Sequence, residues 1–198
     1  MADQTRKTDR RTLYTQRAIK DALLEVIGEK RFDKVTVTDV CRRAEITRAT
    51  FYLHYKNLAE VLDAILDEAL AEDDVPGTQG ATDEVCQGET AGLVRLPMCQ
   101  RVSSNPRYLP LFKDSSVTDY LVERLYQTEG PHHVPELMER TGLPRHQAEL
   151  LVRFMIFGSF SVNSALGWKK DQEWRDMQDL IGAFCNAGEA GVSRRGVE

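Results

Sequence analysis

Apolar residues recur in steps of three and four along most of this chain. Ile19, Ala22, Leu23, Val26 and Ile27 mark one face of a helix, and Gly28 with the Lys30-Arg31 pair predicts its end. Thr36-Val37-Thr38-Asp39 is a capping-box pattern: a hydroxyl caps the first turn, and a carboxylate three residues on suits the positive helix end. Val37, Val40, Cys41 and Ala44 then give a short second helix. Glu45-Ile46 make a tight turn, and Thr47 caps a third helix to about Tyr55. Two short helices so joined predict a helix-turn-helix, with Glu45 where a glycine is usual. From Leu58, the stripe Leu58, Val61, Leu62, Ile65, Leu66, Ala69, Leu70 is uninterrupted and predicts a helix linking this head to the rest of the chain.

The second part of the chain is also helical in pattern. Residues 73 to 92, rich in Gly, Thr and acids, read as a loop. Helical spacing resumes over 96–102 and 106–112, and clearly from Val117 to Gln127. Gly130-Pro131 predicts a break, followed by a short helix near Pro135 to Arg140 and a stop at Gly142-Leu143-Pro144. A long helix over Arg145 to Leu166 and a last one over Gln172 to Ala187 complete the pattern. No strand and no internal repeat is predicted. The expected fold is therefore all-α: a basic head over 1–57, a linking helix over 58–73, and a larger helical body over 74–198.

The Arg145 to Leu166 helix carries LLVRFMIFGSF, apolar nearly all round, so it must be covered on every side. Either the chain's own helices do this, or a second copy covers one side in a two-fold pairing. Small residues favour the second copy. The expected dimer interface is Gly158, Phe160, Ser161, Ser164 and Trp168, with Ile181 and Phe184 from the last helix.

Five consecutive residues, Phe51 to Tyr55, change the picture of the head. At 100° per residue they spread around the whole helical wheel, so some must face outward beside Arg48 and Lys56. Charge points the same way. The whole chain carries −5, but residues 1 to 57 hold 13 Lys and Arg against 8 Asp and Glu, while the remainder holds 13 against 23. A basic head on an acidic body suggests that the head meets a polyanion.

The four cysteines are far apart and the four histidines scattered, which offers no disulfide framework, metal spacing or cofactor motif. No nucleophile elbow or phosphate loop suggests an enzyme. With a polar, basic N-terminus and no apolar run long enough to span a bilayer, the expectation is a soluble, cytoplasmic protein with no membrane partner.

These residues resemble a known family. Thr36 to Cys41, Ala44 and the run ITRATFYLHYKNLAEVL look like the DNA-binding head of the TetR/AcrR family of one-component transcriptional regulators, over roughly residues 13 to 66. The resemblance implies a homodimer whose third helix enters the major groove of a pseudo-palindromic operator. It also implies a body that binds a small effector, and a repressor rather than an activator.

On that placement Arg48 and Thr50, in the first turn of the recognition helix, meet base edges. Tyr52 and His54 bond phosphates, and Leu53 presses on a thymine methyl or sugar edge. Ala49 stands where the family often has Gly, at the same surface. Thr36, Thr38, Thr47 and Lys56 are phosphate contacts at helix ends. Phe51 and Tyr55 turn inward with Ile46 and Val40. Leu58 departs from a Lys common in the family, and Arg6, Lys7, Arg10 and Arg11 form a basic arm ahead of the first helix. The expected effector pocket is apolar, lined by Met98, Phe112, Tyr126, Phe154, Met155 and Phe157. A body that docks a protein partner instead is the alternative.

Overall fold

A computed structural model describes residues 2–71, 105–169 and 171–193. Among these residues there are eight α-helices, one 3-10 turn and no strand: α1 (Ala2–Glu29), the turn Phe32–Lys34, α2 (Val37–Arg43), α3 (Arg48–His54), α4 (Leu58–Ala71), α5 (Leu109–Lys113), α6 (Thr118–Thr141), α7 (Arg145–Ala165) and α8 (Gln172–Ser193). The loop expected over 73–92, the helix expected over 96–102 and Met98 lie outside the described residues. None of the described helices is long and apolar enough to cross a membrane.

The described residues fall into two compact units. In the first, the stripes foreseen on α1 and α4 form the core: Ile19, Leu23, Val61 and Ile65 are fully buried, as are Val40 of α2 and Phe51 of α3. Each such side chain contributes roughly 1.5–3 kcal/mol by leaving water. Residues 106–117 belong to this unit as well, and Tyr108, Leu111, Phe112 and Val117 are buried in it. The helix expected over 106–112 is shorter than its apolar pattern, with Pro110 in its first turn.

α1 also differs from expectation. The basic arm is the first part of a helix that starts at Ala2, because no Gly or Pro interrupts the chain before Gly28 and a nucleated helix propagates at little cost.

In the second unit, α7 lies along α6, and α8 packs on α6. Val134 and Leu137 of α6 meet Ala148 and Val152 of α7, with Tyr126, Met138, Met155 and Ile156 around them. The break expected at Gly130-Pro131 is absent, and α6 runs on through Pro131 and Pro135. Each proline costs a helix about 3 kcal/mol. Yet Leu121 and Leu125 before the prolines and Val134 and Leu137 beyond them are all buried, the latter pair against α7, and a helix broken at Pro131 would lose that packing. A Cβ at Gly130 would come within 3.3 Å of the Tyr126 ring, which would have to shift by a few tenths of an ångström to admit it. The stop at Gly142 holds: with φ of +73° it ends α6, its amide donating to the Met138 carbonyl at 2.8 Å.

Candidate nucleic-acid interface

The surface around α3 is built from caps and turns that its own sequence specifies. Thr36 accepts the Asp39 amide at 3.2 Å while the Asp39 carboxylate takes the Thr36 amide at 2.9 Å, completing the capping box. Lys30 donates to the same carboxylate at 2.6 Å. That contact first, and Thr36 next, hold Asp39 well below the usual carboxylate range. The start of α2 is thus fixed, with Thr36 and Thr38 exposed on it.

α2 ends in a six-to-one bond from the Ile46 amide to the Cys41 carbonyl at 3.0 Å and a second from Glu45 to Arg42 at 3.4 Å. Glu45 occupies the left-handed position of that motif, with φ of +54°. Two residues later Thr47 caps α3, accepting the Thr50 amide at 3.1 Å and sharing a hydroxyl contact with Thr50 at 2.9 Å. Inside this turn the Cys41 thiol is buried, which pushes its pKa up.

α3 then divides its residues between two sides. Phe51 is fully buried and Tyr55 nearly so, their rings 6.2 Å apart. Burial, with Glu68 nearby, raises the Tyr55 phenol. Opposite them Leu53 is 83% exposed and Tyr52 49%. Arg48 and Ala49 are exposed, and Thr50 and His54 partly so. The Arg48 guanidinium lies 5.9 Å from the centre of the Tyr52 ring, one helical turn along. Tyr52 in turn stands edge-on to Phe51 at 5.4 Å, so the outward ring is braced by the inward one.

Lys56 follows α3 with its side chain almost wholly in water. Its amide donates to Glu60 at 2.7 Å and its ammonium lies 3.4 Å from the same carboxylate. Asn57 caps α4 through the Glu60 amide at 2.9 Å. The structure therefore brings Thr47, Arg48, Ala49, Thr50, Tyr52, Leu53, His54 and Lys56 together on and beside one short helix, with Thr36 and Thr38 opening α2 in the same unit. A groove-width helix, two capped N-termini and side chains that donate hydrogen bonds from an apolar platform suit the edge and backbone of a duplex.

Other expected residues are dispersed. Phe112 is buried in the first unit, whereas Tyr126 and Met155 flank the α6–α7 core of the second. Tyr126 carries the Arg153 guanidinium 4.3 Å above its ring. Phe154 and Phe157, expected in a pocket, are exposed on α7. Conversely Phe160 and Trp168, expected to face a second copy, are buried within this chain, where their rings meet edge-on at 5.0 Å. The reason is register: Phe160 lies about 60° round α7 from Phe157, at the edge of the buried side that carries Ala148, Val152, Ser159 and Asn163. Ser161, Ser164 and Phe184 are exposed, and Gly158 and Ile181 partly so. Sequence reasoning missed Asp114 and Arg107, which pack against the head from far along the chain with no local pattern to show it.

Comparison with known proteins adds to this geometry. Residues 19–65 match the family model described as bacterial regulatory proteins, tetR family. The chain is 37% identical over 71 residues to an uncharacterized HTH-type transcriptional regulator, YxbF, of Bacillus subtilis (strain 168), covering 35% of this chain and 19% of that protein. It is 35% identical over 72 residues to another from the same organism, YdeS, covering 36% of each. The A-factor receptor protein of Streptomyces griseus is 29% identical over 58 residues, 29% of this chain and 21% of that protein. The chain thus covers well under two thirds of each relative's length. No solved structure matches it.

Proposed function

We propose, from the premise that its head places this chain in the tetR family of bacterial regulatory proteins, that it is a DNA-binding transcriptional regulator acting in the cytoplasm. It reads a pseudo-palindromic operator as a homodimer and is released by a small apolar effector, acting as a repressor rather than as an enzyme. One observation carries the reading: α3 presents Arg48, Tyr52, Leu53 and His54 outward while Phe51 and Tyr55 anchor it from behind. A helix that shows leucine and tyrosine to water, with an arginine at its capped N-terminal end, matches the way recognition helices sit in the major groove. The effector part is supported by the family match of the head and by a body whose described elements are helical, where Tyr126 and Met155, packed around the α6–α7 core, are the side chains a pocket would draw on.

The test is a footprint and anisotropy titration on DNA flanking its own gene, against scrambled DNA, across a salt series. Two protected half-sites at a separation of about one helical turn or a multiple, with a steep salt slope, are expected. Arg48→Ala should weaken binding about tenfold to a hundredfold and relax base preference at one position. Lys56→Ala should weaken every sequence alike and flatten the salt slope by about one. Unchanged preference in Arg48→Ala would move the recognition surface off α3. An apolar compound library in which nothing raises Tm or releases DNA would favour a body that docks a protein partner.

A further inference from the structure

The segment 106–117 is part of the head's unit although it lies far along the chain, and charged side chains pin it at both ends. Arg107 Nε donates to Asp21 of α1 at 3.0 Å, and its Nη1 donates to Glu68 of α4 at 2.6 Å. Lys20 of α1 pairs with the other Glu68 oxygen, so one cluster ties α1 to α4 through the incoming arginine.

At the far end Asp114, only 6% exposed, accepts the Phe32 amide on Oδ2 at 2.5 Å. Its Oδ1 takes the Ser116 amide at 2.9 Å and the Ser116 hydroxyl at 2.7 Å, and the Ser116 oxygen meets the Asp33 amide at 3.4 Å. Phe32 and Asp33 open the 3-10 turn between α1 and α2, where the first amides have no partner inside the turn. A buried carboxylate is the strongest acceptor a protein can offer such amides. Two residues beyond the turn stands Thr36, the cap of α2.

We propose that Asp114 and Arg107 are positioning residues for DNA binding. The 106–117 segment is a brace that holds α1, α4 and the α1–α2 turn in the arrangement that presents Thr36, Thr38 and α3 to a duplex, a role that rests on the DNA-binding reading above. The brace touches no DNA. Its loss therefore changes affinity while leaving base preference and salt slope as they were. Val117, its last buried residue, is joined directly to α6, so the brace is also the covalent lead into the body.

The experiment uses the full chain and a duplex selected from a random pool by the wild-type protein. Asp114→Asn keeps the shape but loses half of the acceptor set, and should bind that duplex about tenfold more weakly. The active fraction in a stoichiometric titration should be unchanged, and the Phe32 and Asp33 amides should exchange faster. Arg107→Ala should fall likewise, and Arg107→Lys, which keeps one ion pair, should recover part of the loss. Should Asp114→Asn fail to fold, Ser116→Ala removes one hold on the carboxylate and should show a smaller loss of the same kind.

Wild-type affinity in the folded variants would overturn the proposal. So would a changed salt slope or base preference, which signals direct contact, or a loss confined to the folded fraction, which signals stability alone. A wild-type protein that selects no sequence would instead defeat the DNA-binding reading itself, and the brace's role with it.

Discussion

Glu45 sits at φ of +54° between α2 and α3, a conformation that costs a residue with a Cβ about 1–2 kcal/mol. The turn keeps it there because the amides of Glu45 and Ile46 close the end of α2 on the Arg42 and Cys41 carbonyls. Glycine would relieve the strain but add freedom to the unfolded chain, so the two effects partly cancel. Glu45→Gly should raise stability by about 0.5–1 kcal/mol in a denaturant titration, with DNA affinity unchanged because Glu45 lies outside the α3 surface. A variant no more stable than wild type would mean that the turn already absorbs the strain.

At the level of elements, what the sequence made legible is what short-range chemistry controls. The α4 stripe, the Thr36 and Thr47 caps and the two sides of α3 were all readable, because each depends on residues within a turn or two. Phe51 to Tyr55 were readable for a further reason: five large residues in a row cannot all be buried by one helix. Three features were not. α6 crosses Pro131 because packing against α7 outweighs a local breaker, and α1 extends to Ala2 without an apolar stripe to announce it. Phe32 finds its acceptor on Asp114, 82 residues away, and no periodicity encodes that.

The α7–α8 corner shows the same dependence on distant partners. Buried Asn163 donates to the Ser159 carbonyl at 2.7 Å and accepts the Trp174 indole N–H at 2.8 Å. Asn163→Leu fills the space but takes that acceptor from a buried donor, and should destabilise the chain by about 1–3 kcal/mol. The same substitution in a Trp174→Phe protein, where no indole N–H is left unmet, should cost less. Equal losses in a urea titration would assign the effect to packing instead.

For the whole molecule, the two candidate faces of α7 make opposite demands on one kind of substitution. Leu150, Phe154, Phe157 and Ser161 recur in steps of four, three and four and are exposed; Leu180 and Phe184, four apart on α8, are exposed too, with Phe154 at 63% and Phe184 at 70%. Exposed large apolar side chains at helical spacing are what an isologous interface leaves bare in a single chain. Phe160, one step of three beyond Phe157, is 3% exposed and belongs to the chain's own core. Phe154→Glu should therefore yield folded monomers by light scattering, with an unchanged far-UV spectrum, because only the contact between copies loses apolar surface. Phe160→Glu should unfold the second unit, since a charge would be buried without a partner. The Phe154→Glu monomer should also bind a two-half-site duplex at least about a hundredfold more weakly, because the second half-site no longer gains from effective concentration, while a single half-site is bound as before. A Phe154→Glu protein that remains a dimer would place the pairing of copies elsewhere on the body.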